Sequence, residues 1–84
     1  MSQLCNDKIV KILIDTFIFL EFSDDEIINE DTSIELMEQI SSDLQCMDDE
    51  NRKYLAMKIK EMSILYGEDK RDFVRDLPNS INLI

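Results

Sequence analysis

The stretch IVKILIDTFIFLEF, residues 9–22, decides the fold. Its apolar side chains do not alternate as those of a half-buried strand would; they recur at three- and four-residue spacing, which places them on a helix. Continued back to residue 3, the pattern predicts a first helix over residues 3–22. Projected at about 100° per residue, Ile9, Ile12, Leu13, Ile14, Phe17, Phe19 and Leu20 cover most of its circumference, leaving Lys8, Lys11 and Asp15 as a thin polar strip. Lys11 and Asp15 stand four apart and can pair across one turn. So narrow a wet edge predicts a central helix covered on several sides. Lys11, Asp15 and Glu21 interrupt the run, and no small-residue cleavage site follows it, so it does not read as a targeting segment. It is also shorter than the roughly 20 apolar residues a bilayer crossing needs. The expectation is a core helix of a cytoplasmic protein with no membrane contact.

Reading outward, residues 21–31 carry no helical period and predict a connecting loop, with Ser23 and Glu26 able to cap a short turn. A second helix is expected from Thr32, the N-cap of a capping box closed by Glu35, with Asp31 at the positive end of the macrodipole. Its buried stripe is predicted as Ile34, Met37, Ile40, Leu44 and Met47, and its outer face as Glu35, Glu38, Gln39 and Ser42. Asp48 caps a third helix that runs to Tyr66 and stops at Gly67. Leu55, Ile59, Met62 and Tyr66 form its main stripe; Tyr54, Met57, Ile64 and Leu65 add apolar surface that implies further neighbours and leaves room for a homodimer. A short fourth helix over residues 68–77 should end before Pro78. Ile81, Leu83 and Ile84 then give a tail apolar enough to pack back on the body.

One Gly and one Pro leave little material for tight hairpins, and the 44% hydrophobic content supplies a core that disordered acidic chains lack. The fold class that follows is all-α: a compact antiparallel helical bundle of about four helices, with a short C-terminal helix and a packed tail, in one domain spanning residues 1–84.

Few residues invite chemistry. The chain has no His, the commonest general base, and Cys5 and Cys46 have no CxxC spacing and read as free thiols. Asp24 and Asp25 could act as paired acids only across a substrate-sized cleft, which a bundle this small rarely offers. The run DDEIINED at 24–31 imitates a calcium loop but puts Ile28 at a ligand position and lacks the Gly of the sharp turn. No catalytic residue, cofactor or metal is expected, and the protein does not read as an enzyme.

Charge is the strongest signal. The net charge is −10, and residues 21–50 hold twelve acids without one Lys or Arg. Seven acids and nine bases lie elsewhere, so this block carries −12 and the remainder +2. Helix-dipole effects account for Asp31, Asp48, Asp49 and Glu50, but ordinary surfaces mix signs because self-repulsion opposes compaction. An acidic chain also repels nucleic acid and anionic lipid. The block predicts a face for a basic protein partner, with Asp24, Asp25, Glu26, Glu30, Asp31, Glu35 and Glu38 as contact candidates.

The segments FLEFSDDE at 19–26, NEDTSIE at 29–35, MEQI at 37–40 and FVRDLP at 73–78 carry a resemblance. Together they resemble small acidic bacterial proteins that accompany polymorphic toxins of the Rhs and contact-dependent type. The resemblance implies an immunity protein, or antitoxin, that binds a cognate toxin domain with a basic surface and occludes its active site. Colicin nuclease immunity proteins are similar in size, acidity and architecture, but their tyrosine-pair motif is missing, so only the strategy carries over. Acyl carrier proteins are a second small acidic helical class, with a prosthetic serine at the start of their second helix. Ser33 stands there, although Asp31 is followed by Thr32 rather than directly by the serine. A small protein-binding adaptor is the third reading.

Overall fold

A computed structural model describes residues 3–24 and 26–83, with side chains described from residue 7 onward. Four α-helices follow one another: α1 Gln3–Phe22, α2 Glu30–Gln45, α3 Asp49–Met62 and α4 Glu68–Ser80, with a 3₁₀ turn at Ser63–Leu65 between α3 and α4. The described residues contain no strand, and the molecule is a small all-α bundle.

The first helix has the predicted bounds and lies against all three others. Val10, Ile14, Phe17 and Leu20 form its buried stripe, and Leu13 and Ile18 flank the core. The expectation that it is covered on several sides is corrected on one of them: Ile9, Ile12 and Phe19 stand exposed, Ile12 at 64%. Apolar residues around a helix show how many sides could be covered, not how many neighbours the chain supplies. Polar pairs tie α1 to its partners. Lys58 Nζ on α3 lies 2.9 Å from Asp7 Oδ1. Lys11 reaches Asp15 at 2.9 Å as predicted, and the Tyr66 hydroxyl donates to the other Asp15 oxygen at 2.7 Å.

The loop after α1 is turned by Asp24, whose Oδ1 accepts from the Glu26 and Ile27 amides at 3.1 and 3.2 Å; Ser23 does not cap it. The cap of α2 is Asn29 rather than Thr32. Its side-chain oxygen accepts from Asp31 N at 2.8 Å and Thr32 N at 3.4 Å, so the helix begins three residues earlier and takes Glu30 and Asp31 into its positive first turn. Met37, Ile40, Leu44 and Met47 pack on the core as expected, but Ile34 is 47% exposed and Ser33 is buried. Ser33 lies on the Met37–Ile40–Leu44 side of the helix, and its small side chain lets α2 approach α1.

Asp48 caps α3 as read, accepting from Asn51 N at 2.9 Å. Ala56 and Ile59 are its buried centre, with Leu55, Met62 and Tyr66 against the core. Tyr54 and Met57 are partly exposed, and Ile64 and Leu65 stand well out into solvent. The regular helix stops at Met62 and tightens into the 3₁₀ turn, so Tyr66 lies outside α3. Gly67 is extended, at φ −67° and ψ 167°, and is the N-cap of α4 rather than a left-handed stop for α3.

Helix α4 runs through Pro78 instead of ending before it. The proline forfeits one i→i−4 bond of the helix, and its ring is fully buried. The helix ends at Ser80 and is closed by a Schellman motif. Asn82 takes the left-handed conformation at φ 56°, its amide donating to Asn79 O at 3.1 Å while the Leu83 amide donates to Pro78 O at 2.9 Å. That reversal turns Ile81 and Leu83 into the core, as the apolar tail predicted; Ile84 lies outside the described residues.

The Tyr66–Asp15 bond gives a pH-dependent prediction. The Tyr66 hydroxyl, opposed by partial burial and helped by Lys11, holds the Asp15 carboxyl below its ordinary value. Burial, then Asp15 itself, pushes the Tyr66 phenol above its usual range. A carboxyl depressed in the folded state stabilises above its unfolded pKa, and that contribution is lost as pH falls through the folded value. Tyr66→Phe is therefore expected to raise the Asp15 titration midpoint by NMR and to flatten the fall in stability on acidification. Asp15 is largely solvated, so the effect at neutral pH is small.

Candidate functional site

The acidic candidates fall into three settings. Asp24 is committed to the turn after α1, where its carboxylate accepts backbone amides, and Glu26 projects from that turn into solvent. Asp25 lies outside the described residues. Glu30, Asp31, Glu35 and Glu38 are exposed on α2. On a helical projection Asp31, Glu35 and Glu38 fall on one outer stripe, four and then three residues apart. Glu30 sits nearer α1, beside Leu20, Glu21 and Ser33.

The stripe is kept against a local penalty. Like charges at i,i+3 and i,i+4 destabilise a helix by about 0.2–0.5 kcal/mol per pair, and α2 contains no basic residue to relieve them. Among the described residues the ion pairs are Lys11–Asp15, Arg52–Asp49, Lys58 with Asp7 and Glu61, Lys70–Asp69 and Arg75–Asp72. None involves Glu26, Glu30, Asp31, Glu35 or Glu38. Arg52, Lys70 and Arg75 pair with acids on their own helices and Lys58 most closely with Asp7 on α1, so among the described residues no base pairs with this acidic face.

Two features of the face escaped sequence reasoning. Ile34 lies between Glu30 and Glu38, four residues from each, and stands exposed among them instead of joining the core. Ile27, in the loop, is also exposed. The face therefore offers apolar contact area within its acid field. The second feature is Glu21, at the end of α1. Together with Glu38 it lines a groove of about 540 Å³ between α2 and α4 that has Met37, Phe73 and Leu77 among its walls. The Ile34 position was within reach of a helical projection centred on Met37, Ile40 and Leu44; the groove depends on the α2–α4 separation, for which the sequence has no signal.

Ser33, the carrier-type position, is only 5% exposed at the α1–α2 junction. To receive a prosthetic arm its hydroxyl would have to leave that contact, so the geometry goes against the carrier reading. Cys46 is a free, exposed thiol at the end of α2, and the Cys5 side chain lies outside the described set. Among the described residues no three His, Cys, Asp or Glu side chains are grouped to hold a metal ion, and no helix is long and apolar enough to cross a membrane.

No family model, no curated protein and no solved structure matches the chain.

Proposed function

We propose that this protein is an immunity protein that binds and neutralises a basic toxin domain through the acidic face of α2. The observation that carries the proposal is the outer stripe of Asp31, Glu35 and Glu38, exposed, unpaired among the described residues and edged by the exposed Ile34. A face of one sign accelerates encounter with an oppositely charged partner, and apolar contacts within it slow release. A toxin acting on nucleic acid needs a basic substrate channel, and such a helix could occupy it. The readiest location for the inhibitor is the cytoplasm of the producing cell.

The decisive experiment is coexpression with a basic toxin domain encoded beside this gene. Rescue of growth, with a one-to-one complex on purification, supports the reading; a neighbourhood without any toxin domain counts against it. Within the complex, reversing Asp31, Glu35 and Glu38 to Lys together is expected to lower the association rate by about tenfold or more at low ionic strength. The deficit should shrink as salt screens the long-range attraction. Stopped-flow binding across a salt series measures both, with circular dichroism reporting that the exposed substitutions leave the helices intact. An unchanged rate would make the stripe ordinary solvated surface.

A further inference from the structure

We propose that the groove between α2 and α4 is the seat for an amphipathic basic helix of the protein partner, an inference that rests on the protein-binding reading of the acidic face. In this bundle α2 leans on α1 while α4 leans chiefly on α3, and α2 has no comparable packing against α3 or α4. One edge of the bundle is left unclosed. The cleft has a volume of about 540 Å³; Met37 and Phe73 are its half-buried apolar wall above the fully buried Leu77, Ser41, Ser42 and Gln45 continue the α2 side, and Glu21 and Glu38 are its acids. Gln45 Nε2 donates to the Ile81 carbonyl at 2.8 Å and ties the two walls together, so the cleft has a fixed width where that bond is made.

Chemistry selects the occupant. Helical walls offer no unpaired row of amides and carbonyls, so a visiting strand could not add itself to an edge; a helix brings its own backbone bonds satisfied and needs only side-chain contacts. From Met37 to Gln45 the α2 wall extends about 12 Å at 1.5 Å per residue, about two turns of a visiting helix, whose apolar anchor would meet Met37 and Phe73 while its next turn faces Ser41, Ser42 and Gln45. Neither Glu21 nor Glu38 has an ion-pair partner among the described residues. An apolar stripe flanked by Lys or Arg complements such a cleft, whereas an acidic helix or nucleic acid would meet like charge.

The test uses the full chain, labelled with ¹⁵N, and a synthetic 14-residue Leu/Lys amphipathic peptide as probe. Resonances of Met37, Phe73 and Leu77 are expected to shift. Glu21→Lys with Glu38→Lys, and separately Ser42→Trp to fill the cleft from an exposed position, should each weaken binding by about tenfold. A peptide of the same composition broken by a central proline should bind far more weakly. Shifts confined to Asp31, Glu35 and their neighbours would overturn the groove while leaving the acidic-face reading standing. Equal binding of the proline peptide, indifference to Ser42→Trp, or no binding of the Leu/Lys peptide would also overturn it. Conversely, groove binding without any toxin rescue would reject the immunity role and keep the helix seat.

Discussion

Replacing Phe17 with alanine is expected to remove about 3–5 kcal/mol of stability, the usual cost of truncating a buried aromatic. Phe17 is fully buried on α1, which packs against each of the other three helices. Its ring packs in a cluster with Ile14, Ile59, Val74 and Leu77 from α1, α3 and α4. A domain of this size holds roughly 4–13 kcal/mol in total, so the variant should melt on the order of 15 °C or more below the parent. Phe19, two positions along, is 50% exposed on the open side of the same helix. Phe19→Ala should cost less than about 1 kcal/mol. Urea denaturation of the pair measures the contrast, and equal losses would mean that α1 is covered on its outer side as well, through self-association.

That contrast marks how far the sequence speaks. Periodicity places α1 and its C-terminal end, because the apolar pattern stops at Phe22, and Asp48 announces the start of α3 because a side-chain cap is a local device. The buried face of α1 is a different matter. Phe17 and Phe19 are the same residue type in the same run, and only the number and placement of neighbouring helices separates core from surface. Ser33 and Ile34 invert their expected roles for a related reason: close helix approach favours a small side chain, and a hydrophobicity pattern cannot register that preference.

Gly67 and Pro78 misled by their ordinary meanings. The glycine never uses a left-handed conformation, and burial of the proline ring offsets the helical bond it forfeits. As for the candidate site, its acidity is written in composition, and its splitting is not. Asp24 is drawn into a turn, Glu30 towards α1, and Asp31, Glu35 and Glu38 onto one stripe, because helix register separates neighbours in the chain. Glu21 joins Glu38 only because α2 stands away from α4.

The C-terminal reversal supports the second large prediction. Ile81 and Leu83 are almost wholly buried, and both belong to the main core cluster. Each Ile→Ala or Leu→Ala change in a core costs about 2–5 kcal/mol. The two positions flank Asn82 and share one Schellman turn, so their losses should couple rather than add cleanly. Ile81→Ala with Leu83→Ala is nonetheless expected to remove at least about 4 kcal/mol, which takes a chain of this length to the edge of unfolding. The backbone of Ile81 also holds Gln45, so loosening the tail should free the far end of α2 before the rest of the molecule melts. Hydrogen exchange on the double variant is expected to show protection falling first in α2 and in the Leu83 amide, with α1 and α3 retaining theirs until global unfolding. Uniform loss across all four helices would show instead that the tail, the groove and the core unfold as one cooperative unit.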